Sequence, residues 1–394
     1  MHICFISLKS HDLLSNHPQP RFIGGAERQQ VLVGRGLRQL GYQVSFVTLD
    51  YGQPDGVDYD GIRVWKAYDP EAGLPMLRAF SPRWTGLNAA LRRADADVYH
   101  QMCADMETGQ VALWCRRHGR RLVFAVASDA DCDPALPLLR TARQRWLYRY
   151  GLRRADRVVT QTRSEQRALR QNFGMESTII PSCSEAPQRL RPANGRFPKT
   201  DRLTCVWVSR IVPLKRLEWL LDLAERCPAH AFLVVGGGNE SDPYVQKILA
   251  RAATIPNVTM LGRISDRELW DVYDRADLLL DTASVAGVPT TFLEAWSRGL
   301  PVISTINPDE IVTDHNLGRV VGGVEEMAKA MAGFLGEPER WRECSQCVQY
   351  YYEQHHTVRA IGAAYHQLFS AFESVEPRAG LTAVERAIRR PILE

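Results

Sequence analysis

The chain has 394 residues, too many for one ordinary hydrophobic core, so two domains are expected. It is 45% hydrophobic and 24% charged, as globular proteins are, and a formal net charge of +4 is too mild to mark a nucleic-acid binder. The start MHICFISLKS lacks the basic head of a secretory signal, no apolar run reaches the ~20 residues of a membrane helix, and nine scattered cysteines form no disulfide framework, so a cytoplasmic protein with reduced thiols is expected.

Strand and helix patterns alternate from the first residues. HICFIS (2–7) reads as a buried strand, and a long loop leads to Gly24 and Gly25, which open an amphipathic helix that stops at Gly41. VSFVTLD (44–50) is the next strand; a variable polar stretch, IRVWKA (62–67), a helix near 84–94 and ADVYHQ (96–101) follow. A helix near 108–118 ends at Gly119, then come RLVFAVASD (121–129), RADRVVTQT (154–162) and STIIPS (177–182). This alternation predicts a parallel sheet with helices on both faces. Pro187, Pro192, Gly195 and Pro198 break the pattern, and 186–200 reads as a linker between domains at 1–185 and 201–365.

The pattern restarts with strands at 204–210, 231–238, 258–264, 277–282, 301–305 and 318–323, each followed by a helix. From Glu325 to Phe372 the chain is almost wholly helical, and 366–394 is expected to form a last helix and tail. Cys344 and Cys347 form one CxxC followed by His355 and His356, but without a second pair the stretch reads as amphipathic helix rather than a zinc site.

The stretch LLLDTASVAGVPTTFLEAWSRGLPVIST (278–305) carries the most chemistry. An apolar strand ends at Asp281, a loop holds Gly287 and Pro289, and Thr290 or Thr291 can cap a helix carrying Glu294 one turn in. Gly299 and Pro301 end that helix before the next strand. A strand feeding a helix through a glycine loop suits a bound phosphate. A carboxylate beside that phosphate is better explained as an acceptor for sugar hydroxyls, such as those of a ribose.

This stretch resembles the signature of family 4 glycosyltransferases, in which two glutamates are separated by seven residues. Glu294 fills the second position and Ala286 stands at the first. The resemblance implies the GT-B fold: two Rossmann-like domains facing across a cleft, with the last helix crossing back to the N-terminal domain. It implies a retaining, metal-independent transferase that moves a sugar from a nucleotide-diphosphate donor to a hydroxyl-bearing acceptor, without a cofactor. Ser209-Arg210 and Lys215 resemble the family's pair of diphosphate-binding cations; Arg grips two phosphate oxygens and Lys acts as a point charge. Gly24, Gly25, Ala26, Glu27 and Arg28 resemble the loop that closes over donor diphosphate or acceptor. Leu261-Gly262-Arg263-Ile264 resembles the strand end that meets the nucleobase, where Arg263 can stack. The Thr290–Thr291 loop with Gly287 would meet the diphosphate, and Gly237 in Gly236-Gly237-Gly238 lets the backbone approach the nucleotide or simply turns the chain.

Two departures bear on activity. Ala286 cannot accept a hydrogen bond from a sugar hydroxyl, though Asp281 and Ser284 lie near enough in sequence to substitute. Where relatives carry a histidine after the strand matching 121–129, this chain has Ser128 followed by Asp129, Asp131 and Asp133. Asp129 is the candidate base for the acceptor hydroxyl, against a helix cap or solvated turn; His100, at the end of ADVYHQ, is a second candidate, against an ordinary structural histidine. Loss of both motif residues leaves open a nucleotide-sugar-binding protein without transferase activity. The stretch RTARQRWLYRYGLRRADR (140–157) mixes arginines with Trp146, Tyr148 and Tyr150, a pattern for peripheral contact with the inner membrane face or for a solvated helix.

Overall fold

The computed structural model describes residues 1–17, 21, 24–73, 79–185, 202–284 and 287–373. It divides into two units, Met1–Ser182 with the chain from Val358 onward, and Cys183–Thr357. The expected linker at 186–200 lies outside the described residues.

The first unit is built on an eight-stranded sheet. Its strands are β1 His2–Ile6, β2 Gln43–Thr48, β3 Val57–Tyr59, β4 Ile62–Lys66, β5 Val98–Met102, β6 Arg121–Ala125, β7 Arg157–Thr160 and β8 Thr178–Ile179. Their order is β3-β4-β2-β1-β5-β6-β7-β8, parallel except for the β3–β4 hairpin. The reversal between β1 and β5 makes this a doubly wound sheet, and central strands such as Ile3–Ile6 are apolar throughout because helices cover both faces. β3 falls in the stretch read as polar and variable; three residues with a turn at Asp60 and Gly61, both at positive φ, give too short a signal to stand out.

The second unit carries a six-stranded, wholly parallel sheet. Its strands are β9 Thr204–Val208, β10 Ala231–Val235, β11 Val258–Gly262, β12 Leu278–Asp281, β13 Val302–Ser304 and β14 Gly318–Val320. The order β11-β10-β9-β12-β13-β14 reverses between β9 and β12. Trp207, Trp296 and Trp341 are among the largest fully buried side chains, and the Trp341 indole donates to the Asp277 carbonyl at 3.0 Å. Cys344 is also buried and its thiol donates to the Asn316 carbonyl at 3.1 Å, as a core residue does. Within this unit the first and last segments pair: Ser184 N–H donates to His356 O at 3.0 Å and the Tyr352 hydroxyl to Ser184 O at 2.9 Å.

The boundary expected at 365/366 falls instead between Thr357 and Val358. The helix Val358–Glu373 belongs to the first unit, where Tyr365, Phe369 and Phe372 are buried. Gly36, in the helix Gly25–Gln39, meets it closely: a Cβ there would lie 3.0 Å from Val358 O. The Tyr42 hydroxyl and His366 Nδ1 share a 2.7 Å hydrogen bond, and the Arg121 guanidinium sits 4.8 Å over the Phe372 ring. Buried residues run along this helix from Ile361 to Phe372, so the whole helix joins the first unit rather than its second half.

Candidate functional site

In an open parallel sheet, ligands bind at the carboxyl ends of the strands where the order reverses. The described second-unit residues read above as holding the donor follow the strands at that edge. Arg210 and Lys215 follow β9, Gly237 follows β10, Arg263 follows β11, and Gly287, Thr290, Thr291 and Glu294 follow β12. Val285 and Ala286 lie outside the described residues.

The loop carrying Lys215 is locked to the end of β12. Thr282 Oγ1 donates to the Lys215 carbonyl at 2.6 Å and accepts from the Trp207 indole at 3.0 Å. Arg216 donates to Thr282 O at 2.7 Å, Ala283 O at 2.9 Å and Thr305 Oγ1 at 3.0 Å, with its guanidinium 3.9 Å from the centre of the Trp219 ring. Ser284 ties back through N–H and hydroxyl to Leu214 O. Arg216 sits at φ +46, a left-handed conformation that costs a non-glycine residue on the order of 1 kcal/mol and persists because three hydrogen bonds hold it. In the sequence Arg216 is only a neighbour of Lys215; the structure makes it the clamp that positions it. Neither the positive φ nor the long-range partners leave a mark in the sequence.

With the loop fixed, the cations remain available. Arg210 is exposed and Lys215 half-buried, and neither side chain forms a hydrogen bond or ion pair among the described residues. Behind them Asp281 is 8% exposed; burial pushes its carboxyl up, opposed by the charge of Lys215 and by the Ser304 hydroxyl, which donates at 3.0 Å. Asp281 is thus committed to the loop's interior rather than presented to a sugar.

The glycine run after β10 divides by role. Gly236 has φ +127 and a Cβ there would fall 1.8 Å from Ser209 O; a Cβ on Gly238 would fall 2.7 Å from Ile211 O. Both are needed for the backbone to pass the end of β9. Gly237 has no such constraint, since a Cβ would meet only the Arg263 side chain, at 3.1 Å from Nε. Gly237 and the exposed Arg263 therefore form one surface beside the loop.

The helix Thr290–Trp296 begins differently from expectation. Pro289, not a threonine, is the N-cap, and no side chain caps the helix. Thr290 and Thr291 are its first two residues, their hydroxyls without partners among the described residues, and a Cβ on Gly287 would meet nothing within 4 Å. Glu294 is more buried than a hydroxyl-binding acid needs to be, at 6% exposure, and its Oε2 accepts from the Tyr273 hydroxyl at 2.9 Å. Arg298, 4.2 Å over the Trp270 ring, adds a nearby positive charge.

In the first unit the same edge holds Gly24, Gly25 and Asp129. Gly24 caps the helix Gly25–Gln39 in extended conformation, and a Cβ on Gly25 would meet nothing within 4 Å, so packing does not demand that glycine. Asp129 is exposed at the start of the short helix Asp129–Cys132. Its neighbour Asp131 is structural: its carboxylate, 2% exposed, accepts from Ala104 N–H at 3.1 Å and Ala127 N–H at 2.8 Å, joining the loops after β5 and β6.

His100 is not at the edge. β5 continues to Met102, and His100 is 1% exposed, its ring 4.8 Å from Phe5 and 5.5 Å from Tyr365, with which Nε2 shares a 3.3 Å hydrogen bond. The cavity beside it is about 20 Å³, room for one water, and burial pushes the imidazole down to about 3. A neutral, enclosed imidazole cannot reach an acceptor, so His100 is a core residue. The structure supplies a different titrating group. Glu165, 2% exposed, accepts from Gln161 N–H at 2.7 Å, and burial pushes it up to about 7, with Asp129 adding a smaller push in the same direction.

The sign of that shift gives a prediction. A carboxyl raised in the folded state binds its proton more tightly there, so its contribution is fully present below the unfolded value of ~4.3 and is lost as pH rises towards 7. Glu165→Gln should therefore flatten the fall in stability between pH 5 and 8 by about 1–3 kcal/mol, read from urea midpoints of both proteins at each pH. Parallel pH profiles would show that Glu165 titrates normally.

Two open parallel α/β units, each with its polar groups gathered at the carboxyl edge, are the architecture of the GT-B fold. Residues 24–182 match the glycosyl transferase 4-like domain and residues 202–337 match glycosyl transferases group 1. The chain belongs to this glycosyltransferase family and is an enzyme of that class. It is 24% identical over 332 residues to a component of the phosphatidylinositol N-acetylglucosaminyltransferase of Arabidopsis thaliana, covering 81% of this chain and 69% of that protein. Of two other curated relatives, an uncharacterized glycosyltransferase of Haemophilus influenzae and the alpha-monoglucosyldiacylglycerol synthase of Acholeplasma laidlawii, it spans about half the length. The fold is similar to the Anabaena HepE protein solved with UDP-glucose (TM-score 0.69, 16% identity, 94% of this chain and 100% of that one). It is also similar to sucrose-phosphate synthase from Thermosynechococcus elongatus (TM-score 0.73, 19% identity, 95% and 100%).

Proposed function

We propose that this glycosyltransferase takes its sugar from a uridine diphosphate donor and transfers it, with retention at the anomeric carbon, to a hydroxyl acceptor. The observation that carries the donor side is the loop carrying Lys215, clamped by Thr282 and Arg216 at the switch point between β9 and β12 with the Arg210 and Lys215 side chains unpaired among the described residues. In this reading Arg210, Lys215 and the Gly287–Thr291 segment hold the diphosphate, Gly237 and Arg263 border the base, and Glu294 accepts from a hydroxyl of the donor. As the bond from anomeric carbon to diphosphate oxygen breaks, charge gathers on the leaving group, and prepositioned cations stabilise it without reorganising. Gly24 and Gly25 border the acceptor, and Asp129 takes the acceptor proton. No metal or cofactor is assigned a role. Support for uridine comes from the neighbour solved with UDP-glucose, and the Arabidopsis relative's name, which specifies a phosphatidylinositol N-acetylglucosaminyltransferase, makes inositol-bearing lipids the first acceptors to try.

The test is a thermal-shift screen with UDP, GDP, ADP and their sugar conjugates, followed by nucleotide-release assays and NMR of any product linkage. A ligand of the folded state raises the melting temperature by mass action. A shift with UDP, acceptor-dependent release and an unchanged anomeric configuration are expected. Binding without release over a broad acceptor panel would favour the nucleotide-sugar-binding protein that Ala286 leaves open, and no shift with any nucleotide would remove the donor site.

A further inference from the structure

The first unit carries a groove of about 700 Å³ on its outer surface, lined by Pro134, Arg145, Trp146, Arg149, Arg153 and Arg154. It is built on the helix Ala142–Leu152, which is anchored firmly. Thr141 and Gln144 form a capping box, Leu147, Tyr148 and Leu152 are buried, and a Cβ on Gly151 would lie 2.5 Å from Thr108 O on the neighbouring helix. The opposite face combines two features.

The first is charge. Several arginines elsewhere pair with carboxylates: Arg93 with Asp55, Arg120 with Asp95 and Arg251 with Asp222. Around this groove Arg140, Arg143, Arg145 and Arg153 have no hydrogen bond or ion pair among the described residues, and the Arg145 Nε is buried without a partner. Arg149 reaches only the Pro134 carbonyl, and Arg154 lies 5.8 Å from the Tyr150 ring centre. The second is apolar exposure. Trp146 is 61% exposed and stacked on Tyr150, and Leu138, in the loop leading to the helix, is 68% exposed.

We propose that this face docks the enzyme on a bilayer surface rich in anionic phospholipid, with Leu138 and Trp146 entering the headgroup boundary and the unpaired arginines meeting lipid phosphates. Arginines without partners match a surface of fixed negative charge, and an exposed tryptophan on the helix with an exposed leucine eight residues before it matches an apolar boundary that a nucleic-acid backbone does not offer. No described helix is long and apolar enough to cross a membrane, so the contact is peripheral. From its buried side the same helix is tied to the acceptor edge, since the Tyr148 hydroxyl donates to the Asp131 carbonyl at 2.7 Å, two residues from Asp129. The inference uses none of the donor-site residues and stands or falls apart from the donor reading.

The experiment is co-sedimentation of the full chain with vesicles of phosphatidylcholine alone and of phosphatidylcholine with an equal part of phosphatidylglycerol. The protein should sediment with the second and not the first, and high salt should release it. Arg143→Glu with Arg153→Glu should weaken partitioning at least about tenfold, and Leu138→Ser with Trp146→Ser several-fold. The second pair replaces two exposed side chains, so it decides the matter if the charge reversal impairs folding. Equal sedimentation with both vesicles, or by both variants, would overturn the proposal. So would release by inorganic phosphate beyond that by chloride at equal ionic strength, which marks a free-anion site, or capture of a single-stranded oligonucleotide in place of vesicles.

Discussion

Lys215→Ala is expected to lower the rate of sugar transfer by about 10²–10³-fold, a loss of about 3–4 kcal/mol of transition-state stabilisation. The size follows from its place: an unpaired ammonium on a loop held rigid by other groups supplies charge at the leaving diphosphate with little reorganisation. The loop itself should survive the change, because Thr282 grips the main-chain oxygen of residue 215 and Arg216 grips Thr282, Ala283 and Thr305. Melting temperature should therefore stay near that of the unchanged protein while turnover with a UDP-sugar collapses. Lys215→Arg, which keeps the charge on a broader head, should recover part of the rate. Unchanged turnover in Lys215→Ala would mean that the lysine serves only as a counter-charge to buried Asp281.

Glu294→Ala should act on both stability and donor recognition. Truncation removes the acceptor of the buried Tyr273 hydroxyl, and losing a buried hydrogen bond of this kind costs about 1–3 kcal/mol. If the carboxylate also accepts from a donor hydroxyl, KM for the UDP-sugar rises about tenfold or more, the cost of a charge-assisted hydrogen bond. The two roles separate in Tyr273→Phe, which removes one donor to the carboxylate without deleting the carboxylate. That variant should lose stability yet keep far more donor affinity than Glu294→Ala. Equal KM values in Glu294→Ala and the unchanged protein, with only the melting temperature lowered, would reduce Glu294 to a core anchor. Its 6% exposure makes this a genuine contest between roles.

Two residues of the first unit illustrate how far a sequence can be read. Asp129 and His100 both follow or sit in apolar strands, and the pattern puts both at the carboxyl edge. For Asp129 the edge position holds, since β6 ends at Ala125 and the chain must turn there. For His100 it does not, because its environment is made by Tyr365, 265 residues further on, and by Phe5 on the adjacent strand. Likewise Gly236 and Gly238 are demanded by Ser209 O and Ile211 O, while the sequence presents three equivalent glycines.

What the sequence determined by itself was local: the apolar runs that become buried parallel strands, the glycines and prolines that stop helices, and the order of elements that makes a doubly wound sheet the natural product. These depend on hydrophobic periodicity and backbone restriction over a few residues. The tertiary structure alone decided the strand order that gathers four separate loops at one edge, the withdrawal of His100 into the core, the helix from Val358 joining the first unit, and the Arg216 clamp. Each of these rests on contacts between residues far apart in the chain or on a left-handed backbone held by such contacts, and burial of apolar area against a distant element carries no local pattern that the chain itself displays.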